Sequence, residues 1–240
     1  MSFTNCYEDT ARAESYAKLE FPGTYYLAFR DLPQIIARYV KGGVAMDFGC
    51  GAGRSTRFTK NLGFEIIGVD ISTEMIMAAK RIDPIGDYRI VKEGILDQFE
   101  DNSFDLIQSI FTFDNVPTEK LKIQLFSEFR RILKKDGIMI NLVSSKELYI
   151  NDWASFNTTC FPENFTAKCG DKVYTIMKDV EDQRPVEDEL WPDIDYKRVY
   201  SKAGLALIET YKPLGYEYEP IEWVNETKIA PWSIYVLTKK

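Results

Sequence analysis

Residues 44–72, VAMDFGCGAGRSTRFTKNLGFEIIGVDIS, decide the fold of this chain. Val44 to Phe48 is a short apolar run that stops at Asp47-Phe48-Gly49-Cys50-Gly51-Ala52-Gly53. A run of that length, closed by glycines, reads as a buried strand entering a tight turn. Residues 54–62 then have the pattern of a helix. Residues 64–69 (FEIIGV) form a second buried strand, closed by Asp70, and Ser72 is placed to cap a helix over 73–81 with Glu74 in its first turn. Working outward, the pattern predicts a third strand at 88–92 and a fourth at 104–111. Thr118 should cap a helix reaching about Leu133, with Leu121, Leu125, Phe129 and Ile132 on one stripe. Lys134-Lys135-Asp136-Gly137 has the composition of a helix end, and 137–143 that of a fifth strand. Short apolar strands alternating with amphipathic helices predict an α/β fold, a mostly parallel sheet with helices on both faces.

The rhythm breaks over 144–192, where aromatics, prolines and charges mix and a hairpin is expected at 173–177. This stretch reads as an insertion or lid. A helix at 194–202 ended by Gly204, and strands near 205–211 and 233–237, resume the pattern. The expected organisation is one domain over 1–240: an N-terminal helical cap (1–43), a core (44–143), the lid (144–192) and the last part of the sheet (193–240).

Glycines at alternate positions let the backbone take unusual dihedrals and let a ligand approach without a Cβ in the way. The helix that follows offers free N–H groups and a positive dipole end to an anion. Asp70, at the end of the second strand, can accept hydrogen bonds from both hydroxyls of a ribose. A dinucleotide fingerprint needs G-x-G-x-x-G, whereas here the third glycine comes one residue early and Arg54 stands in its place. A tight turn without ligand stays open as the plain alternative, although it leaves Asp47 and Asp70 unexplained.

With these motifs the chain resembles the class I S-adenosylmethionine-dependent methyltransferases. Residues 44–72 resemble motifs I and II of that family, and 101–107 (DNSFDLI) and 132–140 (ILKKDGIMI) its later sheet segments. The likeness covers roughly 32–143 and, more weakly, 196–237. It implies a Rossmann-like seven-stranded sheet with an antiparallel last strand. It also implies S-adenosylmethionine as cofactor, with Asp47, Gly49, Gly51 and Gly53 around its methionine part, Asp70 on the ribose and Ile71 against the adenine. Glu93, Gly94 and Ile95 would occupy the end of strand three, where the family places an acid near the adenine amino group; Asp97 is a substitute for Glu93. Phe111 would lie beside the methionine chain. Among the aromatics before the first strand, Tyr25 is a candidate cofactor contact, together with Arg30; packing onto the sheet is the alternative for each.

Composition limits the chemistry. The 240 residues contain no histidine, so a His general base, a Ser-His-Asp triad and a His-ligated metal are all excluded. Methyl transfer tolerates this, because the cofactor carries the activation and the protein aligns the nucleophile and excludes water. Asp114 is the nearest carboxylate after strand four and a candidate for orienting substrate or accepting its proton; a turn or N-cap role is the alternative. No metal site is expected. Lid aromatics (Trp153, Phe156, Phe161, Phe165, Trp191) either line a substrate pocket or form a small core of their own.

Acids outnumber bases 37 to 30, for a net charge of -7, which argues against a nucleic-acid partner. Eight acids and the single base Arg184 lie within 179–195, so that strip carries the whole imbalance. It reads either as a solvated, mobile loop or as a surface that steers a cationic amine. A polar start to the chain (Glu8, Asp9), no long apolar run and four scattered cysteines suggest a cytoplasmic protein, monomer or homodimer, with no membrane partner. The expected reaction is methyl transfer to an O or N of a small-molecule acceptor. The alternatives are a non-catalytic S-adenosylmethionine-binding sensor or assembly protein, and an enzyme acting on a protein or RNA.

Overall fold

The central strand β1 (Val44–Phe48) is buried from Ala45 onward on both faces, which is what a strand in the middle of a parallel sheet requires. The structure, a computed structural model, describes residues 10–240, so the polar start of the chain with Glu8 and Asp9 lies outside the described residues. Three helices precede β1: α1 (Thr10–Ala17), α2 (Gly23–Arg30) and α3 (Leu32–Tyr39). Then follow α4 (Arg54–Asn61), β2 (Glu65–Asp70), α5 (Thr73–Ile82), β3 (Asp87–Ile90), β4 (Phe104–Ile110), α6 (Glu119–Ile132) and β5 (Leu133–Ser144). After the lid strands β6 (Phe156–Asn157), β7 (Lys172–Met177) and β8 (Val186–Glu189) come α7 (Asp193–Lys202), β9 (Leu205–Tyr211) and β10 (Trp232–Lys239).

The main sheet has seven strands in the order β3-β2-β1-β4-β5-β10-β9. β1 runs parallel to β2 and β4, while β10 is antiparallel to both β5 and β9. The expected α/β architecture with one antiparallel last strand is therefore observed. Side chains alternate across the sheet as the pleat demands. Ala45, Leu106 and Ile140 point into one apolar layer with α2, α3 and the lid; Met46, Ile107 and Met139 point into the other with α6 and α7. Strand order reverses between β1 and β4, and their carboxyl ends open the crevice where such sheets bind ligands.

Local capping follows the sequence. Ser72 Oγ accepts the Met75 N–H at 3.2 Å at the start of α5, and Thr118 Oγ1 accepts that of Leu121 at 3.2 Å for α6.

Two expectations need correction. Lys134 to Gly137 do not end a helix: α6 stops at Ile132 and β5 begins at Leu133. Burial decides this, because Ile132 and Leu133 are both fully buried and Leu133 already pairs with Phe104. Lys134 is thereby drawn out to Asp105, 2.9 Å away. Nor is the acidic strip a solvated loop throughout: only 179–185 is a mostly exposed loop. The strip supplies β8 and the first turn of α7, with Asp182 paired to Arg12 and Arg184, Glu187 to Lys172, Asp193 to Lys197 and Asp195 to Arg198. The hairpin expected at 173–177 is the central strand of a three-stranded antiparallel sheet, β6-β7-β8. No helix among the described residues is long and apolar enough to cross a membrane.

Candidate active site

The glycine loop connects β1 to α4 by turning back on β2: the N–H groups of Gly49 and Cys50 both donate to Val69 O, at 2.8 and 3.0 Å. Gly51 and Gly53 take φ of 52° and 83°, a region that L side chains rarely occupy. A Cβ at Gly51 would meet nothing closer than Met75 Sδ at 3.9 Å, so the space above the loop is open. Beneath Gly53 the Tyr88 hydroxyl would be 2.7 Å from such a Cβ. Gly53 is also the N-cap of α4, and no side chain caps that helix end.

Asp70 is held at the rim. Its Oδ2 accepts the Gly51 N–H at 2.8 Å and its Oδ1 the Ser72 N–H at 2.9 Å. Burial raises its pKa, and these backbone donors oppose the rise. Asp47 lies deeper, with no exposure, and its Oδ2 accepts the hydroxyls of Ser55 and Thr56, each at 2.6 Å. Burial pushes its pKa up to about 6 against those hydrogen bonds. Asp47 therefore fastens the first turn of α4 to β1 and stays off the cavity wall.

A cavity of about 170 Å³ opens over this loop. Its first half is lined by Gly49, Gly51, Asp70, Ile71, Glu93 and Gly94. Gly53, Ile95 and Asp97 are not on its wall. Tyr25 lines it and donates its hydroxyl to Met177 Sδ at 3.1 Å. Arg30 does not reach it. Five residues along a helix turn a side chain about 140° away from the starting face. Arg30 instead pairs with Asp31 and Glu219, both at 2.8 Å, with its guanidinium 4.6 Å from the centroid of the Tyr216 ring. Arg54, which in the sequence served only to reject a dinucleotide site, is buried. It donates to Glu20 O and the Tyr16 hydroxyl and lies 5.0 Å from the centroid of the Tyr25 ring. With Gly49, Gly51 and Ser55 it lines a second, smaller cavity of about 40 Å³.

The other half of the main cavity lies between the sheet and the lid. Phe111, at the end of β4, has φ of 64°, a strained value for an aromatic residue. Its ring touches those of Tyr25 and Trp232, with centroids 5.8 and 4.7 Å away, and Phe156 of β6 completes the group. Asp114 lines this end. It sits in a single 3-10 turn and accepts the Ser144 N–H at 3.1 Å and hydroxyl at 2.9 Å, so it caps no α-helix. Facing it from β8 is Asp188, which accepts from Asn115 Nδ2 at 3.2 Å and from the Tyr149 hydroxyl at 3.1 Å. Burial and the nearby Asp188 raise the pKa of Asp114, and burial raises that of Asp188.

Sequence reasoning missed Asp188, Ser144, Asn115 and Trp232. Asp188 had one local cue, since Val186 and Asp188 alternate with exposed Glu187 and so share a face. Of the lid aromatics Phe156 lines the cavity, Trp153 and Trp191 are buried away from it, and Phe165 is exposed.

Residues 46–141 match the family model described as a methyltransferase domain. Over that stretch the chain is similar to a methyltransferase domain. Over 130 residues it is 28% identical to the 2-methyl-6-phytyl-1,4-hydroquinone methyltransferase of Synechocystis sp., a match covering 53% of this chain and 37% of that protein. The first curated relatives are matched over 22–58% of their own length. In fold, the chain is similar to the PH0226 protein of Pyrococcus horikoshii (TM-score 0.65, 20% identity, covering 95% of this chain and 99% of that one). It is likewise similar to a S-adenosylmethionine-dependent methyltransferase of Clostridium acetobutylicum (TM-score 0.63, 15% identity, covering 98% and 99%).

S-adenosylmethionine is the cofactor that such a methyltransferase domain implies, and the residues present fit it. The space over Gly51 is open, the Asp70 carboxylate stands on the cavity wall, Ile71 beside it is 36% exposed, and the uncapped N-terminus of α4 lies under the loop.

Proposed function

We propose that this protein is a S-adenosylmethionine-dependent methyltransferase that moves a methyl group to an O or N of a small molecule. One observation carries this reading: a single cavity joins the glycine loop and Asp70 to a chamber walled by Tyr25, Phe111, Phe156, Trp232, Asp114 and Asp188. The enclosed, largely aromatic lining of the chamber suits a small acceptor, and the hydroquinone acceptor in the relative's name agrees with one.

In this reading Asp70 takes the ribose hydroxyls, Ile71 and Val91 bracket the adenine, and Gly49 and Gly51 let the methionine chain lie against the backbone. Asp47 and Gly53 act one layer down by fixing the loop. The bound cofactor supplies an electrophilic methyl group on a sulfonium. What remains for the chain is to position the acceptor, exclude water and hold a proton. The lid sheet and the aromatic group exclude water, and the Asp114 carboxylate, immobilised by Ser144, orients the acceptor and takes its proton.

Isothermal titration with S-adenosylhomocysteine tests the reading. Wild type should bind, and Asp70→Ala should bind at least tenfold more weakly, the equivalent of about 1.4 kcal/mol for one lost polar anchor. No binding to wild type overturns it.

A further inference from the structure

The acceptor chamber has two buried carboxylates on its wall, and no Lys or Arg among the described residues lines the cavity. Asp114 comes from the turn after β4 and Asp188 from β8 of the lid; both are more than nine-tenths buried. Their hydrogen-bond donors are neutral: Ser144 for Asp114, Asn115 and Tyr149 for Asp188. The nearby cation is Lys122 of α6, which is fully buried behind the wall. Its ammonium donates to Phe113 O and lies 4.7 Å from the centroid of the Trp191 ring. Burial lowers its pKa against the pull of Asp114 and Glu189, so it offsets the two aspartates only in part. Burial raises the pKa of both aspartates, so without a cation the pair retains a proton, and a cationic ligand is what lets both carboxylates ionise in place.

We infer that the acceptor is an amine, held as its ammonium ion between Asp114 and Asp188 with its carbon skeleton against Tyr25, Phe111, Phe156 and Trp232. The inference rests on the methyltransferase reading and narrows it to N-methylation. An ammonium between the two carboxylates gives each a charged donor in a low-dielectric setting, while the aromatic group receives the apolar part and attracts the residual positive charge. An alcohol of the same shape brings no charge to the pair and forgoes the ion pairing with both carboxylates.

Transfer needs the free amine. The ammonium gives one N–H proton to the Asp114–Asp188 pair, and the freed lone pair forms the N–C bond. The C–S bond breaks with its electron pair going to sulfur, which becomes a neutral thioether. The methylated nitrogen carries the positive charge the sulfonium has lost, and the carboxyl proton leaves to solvent with the products.

The test uses wild type saturated with S-adenosylhomocysteine and matched pairs of ligands, from propylamine and 1-propanol to 2-phenylethylamine and 2-phenylethanol, titrated by calorimetry. At least one amine should bind ten times more tightly than its alcohol, and Asp188→Asn should reduce that preference to less than threefold while S-adenosylhomocysteine binds as before. Equal or tighter binding of the alcohols, no binding by either member of any pair, or an undiminished preference in Asp188→Asn overturns the amine inference. The comparison on wild type stands even if the variant does not fold. Failure of S-adenosylhomocysteine itself to bind would instead remove the methyltransferase reading.

Discussion

Asp114 and Ser144 join the carboxyl ends of β4 and β5: one carboxylate takes both the backbone N–H of Ser144, at 3.1 Å, and its hydroxyl, at 2.9 Å. The carboxylate is thus held rigid and buried on the cavity wall, where the proposed reaction calls for a proton acceptor.

Because burial and Asp188 raise the pKa of Asp114, the active, deprotonated form is gained above the usual carboxylate range. The kcat/KM for an accepted substrate should therefore rise as pH increases from 5 to 8. Asp114→Asn should lower kcat by about 100-fold and flatten that rise, with S-adenosylhomocysteine affinity kept within threefold. A pH profile measured by label transfer checks both, and a flat wild-type profile would count against a proton-accepting role.

Asp47 makes a prediction about stability. Its folded pKa, about 6, lies above the ordinary 3.8, so the folded state holds the proton more tightly than the unfolded state does. The resulting stabilisation is complete below about pH 4 and is lost as pH rises through 6, a loss of about 3 kcal/mol for this one group. Asp47→Asn removes it. The difference in urea stability, variant minus wild type, should become more favourable to the variant between pH 4 and pH 7; a constant difference would refute the assignment.

At Phe111 the order of two substitutions is the test. In ordinary positions glycine is less stable than alanine by about 0.5–1 kcal/mol. At φ of 64° the order should reverse, because alanine loses the ring contacts and keeps the strain whereas glycine loses the contacts and relieves it. Phe111→Gly should be the more stable of the two by about 1 kcal/mol in chemical denaturation.

Arg30 separates the expectation of a cofactor contact from the position observed. Arg30→Met should leave S-adenosylhomocysteine affinity within twofold, since Arg30 faces Asp31 and Glu219 and not the cavity. It should lower stability by about 2 kcal/mol, because the Glu219 carboxylate, 6% exposed, keeps the Tyr216 N–H but loses its counter-charge. A large loss of affinity with unchanged stability would restore the original expectation.

Most of the sheet is legible from the chain alone. β1, α4, β2 and α5 announce themselves because strand and helix periodicities are local, and because positive φ values at Gly49, Gly51 and Gly53 leave glycine as the residue of choice whatever lies around them. Ser72 and Thr118 cap helices in the structure for the same reason: a cap is settled within three residues. At the boundary between α6 and β5 local composition competes with burial, and burial wins. Lys134 to Gly137 have the residues of a helix end, but Leu133 is drawn into the core beside Phe104.

Tertiary structure alone decided which charges are solvated and which are buried. Glu187, Asp188 and Glu189 are consecutive acids that composition does not tell apart. The pairing of β8 with β7 leaves Glu187 exposed and turns Asp188 inward to Asn115 and Tyr149, 73 and 39 residues distant in sequence. Side-chain identity says that a residue can carry charge. Whether that charge meets water or a cavity depends on contacts between segments far apart in the chain, and for Arg30, Arg54 and Asp188 those contacts set the role.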